Sequence, residues 1–134
     1  MRVAVVAPAN SLPAEVPGRV IPIAETRGIE LAFHPQCFLS AGHFAGPDRV
    51  REDALVEAAN DPAFDAVWFA RGGYGSNRIA GAAIARMGDA ARAKAFVGYS
   101  DAGFLLAGLM KARIGRLAHG PMPSDIRREG GEAA

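Results

Sequence analysis

The sequence predicts an α/β domain whose largely parallel sheet is flanked by helices, and three observations carry that prediction. Short apolar runs rich in valine and alanine recur along the chain, helical or turn-rich stretches separate them, and two glycine-rich motifs follow directly on two of the runs. Unbroken apolar runs suit strands buried on both faces. Regular alternation of strand and helix gathers such strands into one sheet with its ligand site at their carboxyl ends.

Val3-Ala4-Val5-Val6-Ala7 reads as the first strand, ended by Pro8 and Asn10. Pro13 to Thr26 carries Val16, Val20, Ile21 and Ile23, but Pro17, Gly18 and Pro22 lie among them and argue against a helix. Gly28 stops this segment, and Ile29 to Phe33 reads as a second strand. Ala41 to Pro47 is loop-like. Asp48 is placed to cap a helix running to Asn60, with Val50, Leu55, Val56 and Ala59 at helical spacing and Asn60-Asp61-Pro62 closing it.

Asp65 to Ala70 is the third strand and runs straight into Arg71-Gly72-Gly73-Tyr74-Gly75-Ser76-Asn77. A helix is predicted from there to Met87, with Ile79, Ala83, Ile84 and Met87 on one face. Ala95 to Gly98 makes a fourth strand. Asp101 to Arg113 reads as a helix that turns Phe104, Leu105, Leu109, Ala107 and Gly108 inward, and Arg116 to His119 as a fifth strand. Gly120-Pro121-Met122-Pro123 forms a turn, and Ser124 is placed to cap a helix that soon gives way to glycine and charge. We therefore expect one α/β domain over residues 1–120, with residues 121–134 as a turn and the start of a linker, frayed unless more protein follows.

At 134 residues, half of them hydrophobic, the chain can bury a core without disulfides or metal. Fifteen basic residues against fourteen acidic ones leave a net charge of +1. They are scattered rather than gathered into the runs that nucleic acid or an anionic membrane surface requires, so neither partner is expected. The one cysteine, Cys37, has no internal disulfide partner, and no Cys or His spacing matches a zinc site. No metal and no cofactor are expected. With no signal-like or membrane-spanning apolar stretch, the reading is a cytoplasmic protein.

Two motifs could carry chemistry. In Val97-Gly98-Tyr99-Ser100-Asp101-Ala102-Gly103 a serine stands on a sharp turn between strand and helix, with Gly98 and Ala102 small enough to let the chain turn. The helix that begins there points unpaired N–H groups at the space before Ser100, which favours an oxyanion, and the Asp101 N–H is the natural donor. The plainer reading is that Ser100 caps the helix. In Arg71-Gly72-Gly73-Tyr74-Gly75-Ser76-Asn77-Arg78, three glycines over four positions let successive N–H groups converge on an anion or carbonyl oxygen, and Gly73 is the candidate second donor. The plainer reading there is a tight turn capped by Ser76 or Asn77. Neither the P-loop nor the dinucleotide glycine pattern is present. Ser76 is a rival nucleophile, ranked below Ser100 for its position.

A serine nucleophile needs a base, usually a histidine oriented by a carboxylate. Of His34, His43 and His119, the last ends the fifth strand and is the best placed in this chain. Asp101 adjoins Ser100 and is poorly placed to orient a base. Cys37 has no activating neighbour.

Taken in order, Val3 to Asn10, Ala70 to Arg78, Val97 to Asp101 and His119-Gly120-Pro121-Met122 resemble the LD-carboxypeptidases, which include muramoyltetrapeptide carboxypeptidases and microcin C immunity peptidases. The match spans nearly the whole chain. The resemblance implies an α/β domain of flavodoxin-like or class I glutamine-amidotransferase-like kind, and assigns Ser100 as nucleophile. It implies the Asp101 N–H and a glycine N–H of the Gly72-Gly73 loop as oxyanion donors, and gives His119 no triad role. It places the remaining glutamate and histidine in a following C-terminal domain outside these residues. The activity implied is release of the terminal D-alanine from murein tetrapeptide in cytoplasmic wall recycling. Substrate binding falls to Arg71, Gly72 and Tyr74, with Arg71 or Arg78 complementary in charge to the substrate carboxylate.

The expected partners are thus a murein peptide and that C-terminal domain, with a homodimer kept open. Two other readings stand beside this one: a peptide-binding module without covalent chemistry, and an immunity-type hydrolase of peptidyl nucleotides. The sequence departs from the family chiefly in its length and in the proline-rich segment after the first strand.

Overall fold

In the computed structural model, which describes residues 1–134, five short strands form one sheet. They are β1 (Arg2–Val6), β2 (Glu30–Phe33), β3 (Ala66–Phe69), β4 (Ala95–Gly98) and β5 (Arg116–His119), all paired in parallel in the order β2-β1-β3-β4-β5. The chain moves from β1 to one side for β2 and returns to the other side for β3, so the winding reverses between β1 and β3. In open α/β sheets, ligands bind outside the carboxyl ends of the strands at such a reversal. The register sets Val6 beside Phe69 and Gly98 beside His119. The loops that follow β1, β3 and β4 therefore emerge as neighbours.

The helices are α1 (Val16–Glu25), α2 (Asp48–Asn60), α3 (Ser76–Ala85), α4 (Asp89–Arg92) and α5 (Gly103–Ala112), with 3-10 turns at Pro35–Phe38, Ser100–Ala102 and Pro123–Arg127. Each inner strand sends alternate residues to opposite faces. Ala4, Val6, Val67, Phe69 and Phe96 join the larger core, of 18 buried residues, under α2, α3 and α5. Val5 and Ala70 join a smaller one, of nine buried residues, with Val16 and Val20 of α1 and Ile126. No helix is long and apolar enough to cross a membrane.

The five predicted strands are present, and four local expectations are corrected. Residues 16–25 form a continuous helix in spite of their prolines. Pro17 lies in the first turn, where a backbone N–H has no partner to lose. Pro22 costs one internal bond, offset by burial of Val16, Val20 and Ala24 against the sheet. Next, Asp48 does not cap α2. Pro47 holds the cap position without a side-chain bond, and the Asp48 carboxylate turns to Arg51 and Arg78.

Finally, the helix expected from Asp101 starts at Gly103 after a 3-10 turn. Its buried stripe is Leu105, Leu106 and Leu109, which leaves Phe104 and Ala107 exposed. Ser124 likewise caps nothing, because the turn at Pro123 starts from Met122. The last residues run in turns, with the Gly131 N–H donating to Arg128 O and Glu132 lying 3.5 Å from Arg19.

Candidate active site

Three loops meet at the carboxyl edge of β1, β3 and β4, and Ser100 stands where the last of them turns. Its φ is +56°, a left-handed conformation that costs a non-glycine residue about 1 kcal/mol or more. The preceding Tyr99 is extended, so the chain reverses at Ser100 and presents the side chain to solvent. Gly98 makes the reversal sterically feasible: a Cβ there would lie 2.8 Å from Phe69 Cδ2 and 3.3 Å from Ala102 Cβ. Ser100 is thus no simple helix cap; its Oγ forms none of the side-chain hydrogen bonds in the protein.

The glycine loop after β3 packs directly on this turn. A Cβ on buried Gly72 would meet Ser100 Oγ at 3.0 Å, so only glycine lets the two loops close to that distance. Gly73 has φ +112°, and a Cβ there would overlap the Asn10 side chain at 2.2 Å. Asn10, from the loop after β1, braces this segment by accepting the Tyr74 N–H on Oδ1 at 3.1 Å and donating its own N–H to Gly72 O at 3.4 Å. Gly75, with φ +129°, begins α3.

Ser76 and Asp101 join the glycine loop to the serine turn. The Asp101 carboxylate accepts the Ser76 N–H at 2.9 Å, and Ser76 Oγ donates to Asp101 O at 2.5 Å. The first turn of α3 is therefore capped by a carboxylate from another loop rather than by Ser76 or Asn77. Fully buried and committed, the Ser76 hydroxyl has no access to a substrate.

Arg71 is half-buried and donates one N–H to Ser11 O at 3.0 Å. Tyr74 is half-exposed, 6.0 Å from the rings of His43 and Phe44. Arg78 grips Asp48 with two nitrogens, Nε at 2.9 Å and Nη2 at 2.8 Å, and this pair holds the Asp48 carboxyl below the usual carboxylate range. No histidine of the chain is hydrogen-bonded to Ser100. His119 is exposed, its ring edge-on to Tyr99 at 5.8 Å. His43 lies against Phe44, and His34 faces Glu57 at 3.3 Å. Tyr99 donates its hydroxyl to Asp125 at 2.8 Å, a bond that ionisation would forfeit, so its pKa is raised.

A cleft of about 430 Å³ opens beside the serine turn, lined by Tyr99, His119, Asp125 and Arg128 among others. A second hollow, of about 390 Å³, is apolar and lies between α1 and the sheet. Neither Ser100 nor the glycine loop lines it, and it borders the first cleft at Pro121 and Asp125. No group of three or more His, Cys, Asp or Glu converges as a metal site would require.

Sequence reasoning overlooked Arg51, which is 1% exposed and lies beneath the glycine loop, with its guanidinium 4.7 Å from the Phe44 ring. The signal was there: Arg51 falls four residues before Leu55, on the apolar face of α2.

A family model described as the LD-carboxypeptidase N-terminal domain matches residues 3–120 of this chain. The chain belongs to the LD-carboxypeptidase family. A Streptomyces coelicolor protein named provisionally as a carboxypeptidase is 36% identical over 132 residues, covering 93% of this chain and 41% of that protein. The crystal structure of muramoyltetrapeptide carboxypeptidase from Oxalobacter formigenes superposes with a TM-score of 0.80 at 28% identity, over 96% of this chain and 43% of that one. Microcin C7 self immunity protein MccF, in complex with aspartyl sulfamoyl adenosine, shares the fold at 19% identity and a TM-score of 0.72, over 92% of this chain and 38% of that one. The chain thus spans about two fifths of the length of the LD-carboxypeptidase relatives it matches.

Proposed function

We propose that this chain is the nucleophile domain of a serine-type LD-carboxypeptidase that releases the terminal D-alanine of murein tetrapeptide in cytoplasmic wall recycling. The observation that supports it most is the strained, outward-facing Ser100 with the backbone of Gly72 packed against it. Nothing in the core requires a serine at φ +56°, whereas a nucleophile must be lifted clear of its own helix.

In this reading Ser100 Oγ attacks the scissile carbonyl carbon and passes its proton to a histidine oriented by a glutamate, both supplied by a C-terminal domain outside these residues. The carbonyl oxygen becomes an oxyanion held by the N–H groups of Asp101 and Gly73. The tetrahedral adduct collapses, the histidine returns the proton to the departing D-alanine amine, and water then hydrolyses the acyl-enzyme. Tyr74 and Gly72 line the approach, and the N–H groups that Arg71 does not spend on Ser11 hold the substrate carboxylate.

The test is D-alanine release from murein tetrapeptide, followed by mass spectrometry, with the protein expressed from its complete reading frame. Ser100→Ala should abolish it, and residues 1–134 alone should show no turnover. Hydrolysis of a peptidyl nucleotide in place of the murein peptide would move the substrate to the immunity class. Tight peptide binding with no labelling of Ser100 by a fluorophosphonate would leave a binding module.

A further inference from the structure

Arg51 is buried completely, and a buried guanidinium is tolerated only when its donors are satisfied. Its Nε donates to Gly46 O at 3.1 Å, its Nη1 to Gly75 O at 2.9 Å and to Pro8 O, and its Nη2 to Asp48. The three carbonyls belong to three separate loops: after β1, before α2 and after β3. Gly75 closes the glycine loop. Pro8 lies two residues before Asn10, which holds the Tyr74 N–H of the same loop. One rigid, planar group therefore fixes both supports of a segment whose glycines give it little stiffness of its own.

A leucine in that place would fill the volume without directing any carbonyl. Burial pulls the Arg51 pKa down, opposed by the Asp48 charge beside it. The same carboxylate grips Arg78, which ties the first turn of α3 to the cluster.

We propose that Arg51 is the positioning residue of the oxyanion loop, its guanidinium holding the carbonyls of Pro8 and Gly75 so that the Gly73 N–H stays aimed at the space before Ser100. The inference rests on the reading of Gly73 as an oxyanion donor. It assigns Arg51 no contact with substrate.

The test uses the protein from its complete reading frame, with Arg51→Lys and Arg51→Met compared to wild type. Three quantities are read: hydrogen exchange of the Gly72–Ser76 amides, the rate at which a fluorophosphonate phosphonylates Ser100 with loss of fluoride, and kcat and KM. Exchange in that segment should rise at least about tenfold over any change in β4, and phosphonylation and kcat should fall at least about tenfold with KM held. Arg51→Lys, which keeps the charge but not the fork, should recover part of the loss. If both variants fail to fold, Asp48→Asn should show the same loop-local increase.

Equal loosening of the loop and β4 would make Arg51 an ordinary core residue and overturn the proposal. So would a loosened loop with phosphonylation unchanged. If wild-type Ser100 is never phosphonylated, the functional reading fails by itself. The exchange measurement then decides the clamp, and an unchanged loop refutes it.

Discussion

Asp101 and Ser76 hold each other reciprocally: the carboxylate of one takes the other's N–H at 2.9 Å, and the hydroxyl returns a bond to the first residue's carbonyl at 2.5 Å. Both residues are buried, and the two bonds join the turn after β4 to the loop after β3. In the proposed mechanism those two segments carry the two oxyanion donors. The pair therefore sets the gap into which a substrate carbonyl would fit.

Breaking this pair should loosen the site before it unfolds the domain. Ser76→Ala removes the returned bond and leaves the buried Asp101 carbonyl short of a donor, a loss of about 1–3 kcal/mol in urea unfolding. Asp101→Asn should cost a similar amount, because an amide caps α3 more weakly than a carboxylate. Activity surviving in Ser76→Ala would separate it from Ser100 as nucleophile.

Ser100 carries a cost of its own conformation. Glycine adopts φ +56° without penalty, so Ser100→Gly should be more stable than Ser100→Ala by about 1 kcal/mol, although both lose the hydroxyl. Equal unfolding midpoints for the two variants would mean that the turn relaxes out of the left-handed region.

Gly73→Ala attacks the loop from the other side. The new methyl would stand 2.2 Å from the Asn10 side chain at φ +112°, so either Asn10 or the loop must move. With the loop goes its N–H, and kcat of the complete enzyme should fall about 100-fold or more. A variant with native kcat would remove Gly73 from the oxyanion site.

The acid response should be visible at Asp48. Its folded pKa is depressed by Arg78, so its contribution is present above the ordinary carboxylate pKa and is lost as pH falls through the depressed value. The thermal midpoints of wild type and Asp48→Asn should therefore differ near pH 7 and converge once the pH has fallen below the depressed pKa of Asp48. A difference that persists in acid would show that the ion pair is not its source.

Cys37 should be silent in the native state. Burial pushes its thiol up to about 12, and its Sγ lies 3.3 Å from Val5 O inside the smaller core. A coloured thiol reagent at pH 8 should react only after denaturant is added, and prompt reaction of the folded protein would contradict the packing described.

The alternation of apolar runs and helical segments was enough to find all five strands. The inner ones, β1, β3 and β4, were plainest because a strand covered on both faces is apolar almost throughout, whereas the edge strands β2 and β5 are more exposed. The glycine loop and Ser100 were legible for a related reason: a turn that tight admits few residue types. Helix α1 was not legible, since what holds Pro22 in a helix is the sheet that Val16, Val20 and Ala24 cover, and a local rule sees the proline alone. Phe104 was assigned to the core as a large apolar residue, but on α5 it stands about 100° from Leu105 and about 140° from Leu109, off the buried stripe and facing solvent.

By itself, then, the sequence determined a parallel α/β sheet, its two glycine-rich turns and a serine on one of them. It did so because strand burial and tight turns leave their requirements in consecutive residues. Only the tertiary structure decided how those turns are held: Asn10 against Gly73, Ser76 against Asp101, and Arg51 under Pro8 and Gly75. Each of these contacts joins residues at least 24 positions apart. Their meeting depends on strand order, with β1 and β3 adjacent at the reversal and β4 beside them, and no local pattern records that order.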